Sequence, residues 1–217
     1  RPGSIAYGPD GFLYVSDTYN HRVQVFENDG KFVSSFGQFG DGNADLNNPW
    51  GINVDVHGYI YVSDWGNNRL QKFDSEGNLF LSFGRLGDGD GEFNHPSGVT
   101  VDSDGDIYVT DWGNHRVQLF NAAGKFVEEF RGDSILSKQA KNYMITNVVA
   151  MRLREMAPIE PQKRLRWPTT TTMGSDGRLY IADYGSHRVQ VYKKDIVALS
   201  ENEIGDLMRS PTLYTQF

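Results

Sequence analysis

The sequence predicts an all-β protein, a β-propeller of four-stranded antiparallel blades that also carries a short helical insertion. A ten-residue pattern beginning with Asp recurs four times, prolines recur in step with it, and Gly-containing turns separate short apolar runs in each copy. The pattern begins at Asp17, Asp64, Asp111 and Asp183, and the matching prolines are Pro2, Pro49, Pro96 and Pro168. Because both markers keep intervals of 47, 47 and 72 residues, they define one internal repeat.

Each repeat unit is predicted to contain four strands, labelled a to d in chain order. In the third unit these strands are 98–102, 107–110, 116–120 and 125–130. Pairs such as Asp-Gly separate the strands, since Gly accepts the positive φ that tight hairpin turns require. Strand b is apolar on both faces, as expected for a strand that is packed from both sides. The predicted blades are 2–37, 49–84, 96–132 and 167–192, and the fourth has no evident strand d.

Residues 133–166 interrupt the repeat and are predicted to form the helical insertion, which Pro158 helps to end. The stretch 131–167 contains eight Lys or Arg and three Asp or Glu, although the whole chain has a net charge of −7. A basic docking element and a solvated helical clip over a blade edge both fit this composition. The tail, 193–217, is expected to contain a short helix and to pack under the last blade.

The overall composition disfavours several classes of function. An acidic chain, with a pI of about 5.2, does not attract a phosphate backbone, so nucleic acid is a disfavoured partner. Cys is absent, which rules out a disulfide framework and leaves the cellular compartment open. No apolar run approaches the ~20 residues of a membrane-spanning helix, so no membrane segment is predicted.

The repeated pattern closely resembles the NHL repeat, which is named after an Asn-His-Leu type of turn. The matching stretches are Asn20-His21-Arg22, Asn67-Asn68-Arg69, Asn114-His115-Arg116 and Ser186-His187-Arg188. The resemblance covers 1–132 and 167–192. NHL domains usually form six-bladed propellers, so it implies either two further blades before Arg1 or closure by four blades alone. Arg1 in place of Met favours the first expectation.

Because repeat β structures present broad faces, a binding or scaffold propeller that recognises a protein, peptide or glycan is favoured. The alternative is a propeller lyase or hydrolase, assisted by a metal where His residues of separate blades act as ligands, as in peptidyl-amidating lyases. A second alternative is an RNA-binding NHL domain. No Ser-His-Asp arrangement, nucleotide loop or Cys nucleophile is identifiable, so the catalytic residues stay unassigned and binding of a protein or peptide is favoured.

The predicted topology places the b–c turns and the d–a connections on one rim, which is the candidate binding surface. The candidate residues on it are Tyr19, His21, Arg22, Trp65, Asn67, Arg69, Trp112, His115, Arg116, Tyr184, His187 and Arg188. Asp and Arg recur in every unit. They either stabilise the architecture of each blade or contribute to a ring of hydrogen-bond donors that binds an anion. The rings, together with Trp50, either cap the core between blades or form an exposed adhesive patch.

No cofactor is predicted, although two metals stay open as alternatives. Four aspartates in the Gly-rich connections are weak candidates for Ca²⁺, namely Asp41, Asp45, Asp88 and Asp90. These loops lack the ligand spacing of an EF-hand. Three histidines share one repeat position and could ligate Zn²⁺, but equivalent positions lie far apart across a wide ring.

Overall fold

A computed structural model describes residues 1–132, 163–194 and 213–215 of the chain. Within these ranges the strands form four antiparallel sheets of four, each in simple up-and-down order. The first blade contains β1 Ser4–Tyr7, β2 Leu13–Asp17, β3 Arg22–Phe26 and β4 Phe32–Phe36. The second contains β5 Pro49–Val54, β6 Ile60–Asp64, β7 Arg69–Phe73 and β8 Leu79–Phe83. The third contains β9 Pro96–Val101, β10 Ile107–Asp111, β11 Arg116–Phe120 and β12 Phe126–Phe130.

The fourth blade takes its outer strand from the tail of the chain. It contains β13 Pro168–Met173, β14 Arg178–Asp183, β15 Arg188–Lys194 and β16 Leu213–Thr215. Strand β16 pairs with β15, with Thr215 opposite Tyr192. Because it follows β15 only after 195–212, no short hairpin signal in the sequence marks it as strand d. The predicted helices of the insertion and the tail lie outside the described residues.

The register of the two middle strands places the repeated Asp and Arg opposite each other in every blade. In the third blade β10 and β11 pair without a bulge, so that Asp111 faces Arg116 across the turn. The turn between them reverses the chain through a residue with positive φ, which is His115 here and His or Asn in the other blades. Polar residues such as Asn and His tolerate this left-handed conformation better than most.

Neighbouring blades pack through their first strands, which lie innermost. Strand β1 contacts β5, β5 contacts β9, and β9 contacts β13. The approach is close, since a Cβ on Gly51 would lie 2.7 Å from the Cα of Gly98. Glycine at position 51 therefore allows the backbones of the second and third blades to meet.

Among the described residues, the hydrophobic core consists of three clusters, one in each junction between consecutive blades. The cluster between the third and fourth blades includes Tyr108, Val117 and Leu119 on one side and Leu179 and Ile181 on the other. The b strands of the second and third blades thus pack on both faces, as the sequence predicts, whereas those of the two end blades are buried on one face. Burial of this apolar surface between sheets is the main stabilising contribution to the arc of blades.

Candidate functional site on the rim of the blades

The structure joins the b–c turns and the d–a connections into one continuous surface, here called the rim. The turns are 18–21, 65–68, 112–115 and 184–187, and the connections are 37–48, 84–95 and the described parts of 131–167. Backbone hydrogen bonds link the two sets. The Gly66 N–H donates to the Asn47 carbonyl at 2.8 Å, and the Gly113 N–H donates to the Asn94 carbonyl at the same distance.

The repeated Asp and Arg form a buried ion pair under the rim. In the third blade Arg116 Nε donates to Asp111 Oδ2 at 2.8 Å, and both side chains are inaccessible to solvent. Arg116 Nη2 donates to the carbonyls of Gly89 and Glu92, at 2.8 and 2.9 Å. Its Nη1 donates to Glu129 Oε2 at 2.8 Å. The guanidinium therefore ties the b–c turn to the connection that precedes the blade.

The aspartate completes this link from the other side. Asp111 Oδ1 accepts a hydrogen bond from the Asn94 N–H at 2.7 Å, and Oδ2 accepts one from Asn114 Nδ2 at 2.9 Å. Burial raises the pKa of the Asp111 carboxyl, and the hydrogen bonds from Asn94 and Arg116 oppose that rise. The carboxylate is thus held by the fold rather than directed at the solvent.

The same network recurs in the second and fourth blades but is reduced in the first. Arg69 pairs with Asp64 at 2.8 Å and donates to three carbonyls of the preceding connection. Arg188 pairs with Asp183 at 2.7 Å and also donates to backbone carbonyls. Arg22 pairs with Asp17 at 3.1 Å and is the most exposed of the four. In the second and third blades the predicted arginine donors are thus occupied within the fold.

Two of the three predicted histidines connect their b–c turn to the next blade. His21 Nδ1 accepts a hydrogen bond from the Asn48 N–H at 3.1 Å, and His115 Nδ1 accepts one from the Trp167 N–H at 3.0 Å. In the second blade the same role falls to Asn68, whose Oδ1 accepts from the His95 N–H at 2.9 Å. The position needs a residue that tolerates positive φ and presents an acceptor, which explains why each of the four units has His or Asn there.

Of the predicted rings, two are exposed on the rim and two are half-buried. Tyr19 and Tyr184 are exposed, whereas Trp65 and Trp112 are partly covered. The predicted Asn67 belongs to the b–c turn of the second blade, where its Nδ2 donates to the Gly40 carbonyl at 2.8 Å. His187 lies beside Tyr184, with 6.4 Å between the ring centroids.

The rim, taken here to include Trp50 at the start of β5, also presents exposed apolar side chains that are absent from the predicted binding set, namely Phe39, Trp50, Leu86 and Trp167. They extend the aromatic surface across blade junctions. The ring centroids of Trp50 and Trp65 are 6.5 Å apart, and those of Trp65 and His95 are 4.0 Å apart. The Trp167 ring lies 5.6 Å from that of His115.

A signal for three of these missed residues was present in the sequence. Phe39 and Leu86 are 47 residues apart and each precedes a Gly-Asp-Gly segment, so they occupy one repeat position. Trp167 directly precedes the repeated proline, as Asn48 and His95 do in the earlier units. All three of the residues before proline adopt positive φ, between 50° and 58°.

Carboxylates lie beside the rings on the same rim. Asp41, Asp88 and Asp90 are exposed. Asp45 is turned toward its own loop, where it accepts hydrogen bonds from Gln38 Nε2 and the Gly42 N–H at 2.9 and 3.2 Å. Within the described ranges, no three His, Asp or Glu side chains are grouped so that they could hold a metal ion.

A cavity of about 340 Å³ lies on the opposite side of the arc, between the third and fourth blades. Lys194 Nζ forms ion pairs at its wall with Asp102, Asp104 and Asp106, at 2.9, 2.7 and 2.8 Å. Burial by itself would lower the pKa of Lys194, but the three carboxylates raise it above the ordinary lysine value. This cluster joins the a–b turn of one blade to strand c of the next.

Comparisons with known proteins agree with the repeat structure. The family model of the NHL repeat matches residues 1–26, 46–73, 93–120 and 165–192. No curated protein sequence matches the chain. In the part of the chain that the structure describes, no helix is long and apolar enough to cross a membrane.

Several solved structures are similar in fold. A streptogramin B lyase has a TM-score of 0.59 at 16% identity, over 99% of this chain and 53% of that chain. A structure of a nidogen/laminin complex has a TM-score of 0.55 at 18% identity, over 88% and 58%. A gluconolactonase from Xanthomonas campestris has a TM-score of 0.59 at 17% identity, over 90% and 59%. The present chain thus spans about half the length of the solved chains it matches, and the likeness is one of fold.

Proposed function

Because this chain belongs to the NHL repeat family of β-propellers, we propose that it is a binding propeller whose rim recognises a protein or peptide. The observation that carries the proposal is a difference between the polar and the apolar side chains of the rim. The repeated polar side chains are engaged within the fold, as Arg116 and Asp111 are, while apolar side chains of the same surface remain exposed. Exposed aromatic groups that are clustered on one face favour association with another polypeptide.

The charges beside the rings support a partner with both apolar and basic groups. Asp41, Asp88 and Asp90 are exposed within the connections that carry Phe39 and Leu86. A ring or aliphatic side chain of the partner would pack against Trp50 or Phe39, and a Lys or Arg would face the carboxylates. Opposite charges at the edge of such an interface increase the association rate and orient the partner.

A lyase or hydrolase activity is the second candidate, and it is supported by the likeness in fold to a streptogramin B lyase and a gluconolactonase. Such a reaction would need catalytic groups from separate blades to converge. The repeated histidines lie in different blade junctions, and His21 and His115 each use Nδ1 to accept a backbone N–H. Binding of RNA is the third candidate, and the exposed carboxylates of the rim disfavour it.

A peptide library displayed on phage tests the binding proposal. The library is selected on the immobilised wild-type chain, on a Phe39→Ala/Trp50→Ala double variant and on a Phe80→Ala control. Phe80 is an exposed ring of β8, away from the rim. We expect peptides with an aromatic and a basic residue to be enriched on the wild-type chain and the control but not on the double variant. Equal enrichment on all three proteins, or enrichment on none, would refute rim recognition.

A further inference from the structure

Two of the d–a connections contain a nine-residue loop of one conformation, 38–46 in the first and 85–93 in the second. In each loop the last residue, Leu46 or Phe93, donates its backbone N–H to the carbonyl of the first residue at 2.8 Å, and its side chain is fully buried between blades. The second residue of each loop forms a parallel bridge to this buried residue. The seventh residue of each loop has positive φ, 64° in one and 73° in the other. The two loops are thus structural copies, 47 residues apart in sequence.

Different side chains close the two loops in the same way. In the first loop the Asp45 carboxylate accepts hydrogen bonds from Gln38 Nε2 at 2.9 Å and from the Gly42 N–H at 3.2 Å. In the second loop the longer Glu92 carboxylate accepts the corresponding hydrogen bonds from Arg85 Nε and from a glycine N–H, at 2.8 and 3.0 Å. Because the same network is built from two different pairs of side chains, the loop conformation is a requirement shared by both connections.

The blade that follows each loop also holds it in place. Arg69 donates three hydrogen bonds to carbonyls of the first loop, and Arg116 donates two to carbonyls of the second. A partner that binds to these loops therefore meets a surface that is already ordered. Binding to such a surface costs less conformational entropy than binding to a loop that has to become ordered first.

Each of these ordered loops holds a large apolar side chain in the solvent. Phe39 is 69% exposed, and Leu86, at the same position of the second loop, is 66% exposed. Two residues further on, Asp41 and Asp88 are exposed as well. Within the described ranges no hydrogen bond or ion pair engages either of these two carboxylates. Each loop thus presents one apolar and one anionic side chain to the solvent.

We propose that Phe39 and Leu86 are the centres of two equivalent subsites, and that the partner is a polypeptide segment that carries an apolar–basic pair of residues twice. This inference rests on the proposed function and specifies the partner of the rim. In each subsite the apolar side chain of one pair packs on Phe39 or Leu86, and its Lys or Arg faces the aspartate two residues further on. Once one pair is bound, binding of the second is intramolecular, so two weak contacts combine into a tighter complex.

The arrangement of the blades sets a minimum distance between the two pairs in the partner. Packed sheets lie about 10 Å apart, and blades diverge with distance from the propeller axis, so the subsites are separated by at least about that distance. An extended segment advances about 3.3 Å per residue. The two apolar residues of the partner should therefore be separated by at least about three residues.

The phage selection on the wild-type chain gives the first test, with displayed peptides long enough to hold two pairs. Enriched peptides should carry the apolar–basic pair twice, at the separation given above. One enriched peptide is then synthesised in full and as a half that keeps a single pair. In calorimetric titration of the wild-type chain, the full peptide should bind once per chain and the half twice. The full peptide should bind at least about tenfold more tightly than the half.

Leu86→Ala tests whether the second subsite is needed. It should reduce binding of the half to one per chain, and it should weaken the full peptide to within about threefold of the half. Val56→Ala is the matched control, since Val56 is 68% exposed but lies in the a–b turn of the second blade, and it should bind both peptides as the wild type does. Both side chains are exposed, so circular dichroism should be unchanged for each variant.

The outcomes separate this inference from the proposed function. Enriched peptides with a single pair, a full peptide that binds no more tightly than its half, or a Leu86→Ala variant that binds the full peptide like the wild type would overturn the paired subsites and leave rim recognition intact. If no peptide is enriched on the wild-type chain, rim recognition and the paired subsites fail together.

Discussion

Arg116 and Asp111 face each other across the b–c turn of the third blade and form an ion pair of 2.8 Å from which solvent is excluded. The pair is only five residues apart in sequence, but the guanidinium also reaches the Gly89 and Glu92 carbonyls of the preceding connection. A feature that recurs in all four units is thus explained by the requirements of the fold. The recognition surface has to be sought among the residues that differ between units.

Replacing Arg116 by Met should destabilise the protein by about 3–5 kcal/mol, because the buried Asp111 carboxylate and two carbonyls would lose their partner. Arg22→Met is the matched control at the same repeat position. Since Arg22 is 40% exposed and pairs with Asp17 alone among the described side chains, it should cost about 1 kcal/mol or less. Urea denaturation of both variants measures the difference. Equal losses would show that the carbonyl contacts contribute little.

Tyr108→Ala should destabilise the protein by about 3–5 kcal/mol, as is typical when a large buried ring is removed from a packed core. Tyr108 is 0% exposed and its hydroxyl donates to Asp102 Oδ2 at 3.1 Å. Tyr19→Ala, at an exposed ring of the rim, should change the stability by less than about 0.5 kcal/mol. Thermal unfolding of the two variants tests whether strand b is packed on both faces. A change below about 1 kcal/mol for Tyr108→Ala would contradict that packing.

His115→Ala should cost about 1 kcal/mol, since the Trp167 N–H would lose its acceptor on the neighbouring blade. His115→Asn should stay within about 0.5 kcal/mol of the wild type, because Asn68 performs the same role in the second blade. Chemical denaturation compares the two. If Asn proved as harmful as Ala, the hydrogen bond to the next blade could not be the reason for His at this position.

Lys194→Met should destabilise the junction between the third and fourth blades by about 2–3 kcal/mol, because three carboxylates would lose their shared cation. The pKa of Lys194 is raised above its ordinary value, so the ammonium is charged in the folded and the unfolded protein at neutral pH. The loss should therefore be constant between about pH 7 and pH 9. It should shrink as the pH rises above the ordinary lysine pKa and towards the raised pKa of the folded state.

Lys31→Met is the control for Lys194→Met. Lys31 is exposed and pairs with Glu27 at 2.8 Å, and its replacement should cost less than about 0.5 kcal/mol. Stability curves at several pH values measure both variants. A loss at Lys194 that disappears already at pH 8, or that equals the loss at Lys31, would argue against the ion cluster.

The sequence was sufficient for the fold because the information is local and repeated. Each hairpin turn, each apolar b strand and the spacing of Asp17, Asp64, Asp111 and Asp183 can be identified from neighbouring residues. Strand β16 could not be identified in this way, since it pairs with β15 across a long intervening segment. The contacts of Arg116 could not be predicted from neighbouring residues either, because its carbonyl acceptors lie 24 and 27 residues away in sequence.

The candidate site was predictable only in part. The rim and the rings at Trp65, Trp112 and Tyr184 follow from topology and register. Whether a rim side chain is exposed to solvent or hydrogen-bonded within the fold depends on the connection that covers it. The difference in exposure between Arg22 and Arg116 illustrates this. Phe39 and Leu86 each precede an acidic Gly-rich segment, and the sequence does not show whether an apolar residue in such a connection is buried or exposed.

The affinity of one selected peptide for two single variants tests the central claim that exposed rim rings, and not the repeated polar residues, make up the recognition surface. Trp50→Ala should weaken binding about 30-fold, which corresponds to the loss of an aromatic hot spot of about 2 kcal/mol. Phe80→Ala, which removes an exposed ring away from the rim, should change the affinity less than about twofold. Isothermal titration calorimetry gives both values. An unchanged affinity for Trp50→Ala, or a larger loss for Phe80→Ala, would contradict the account.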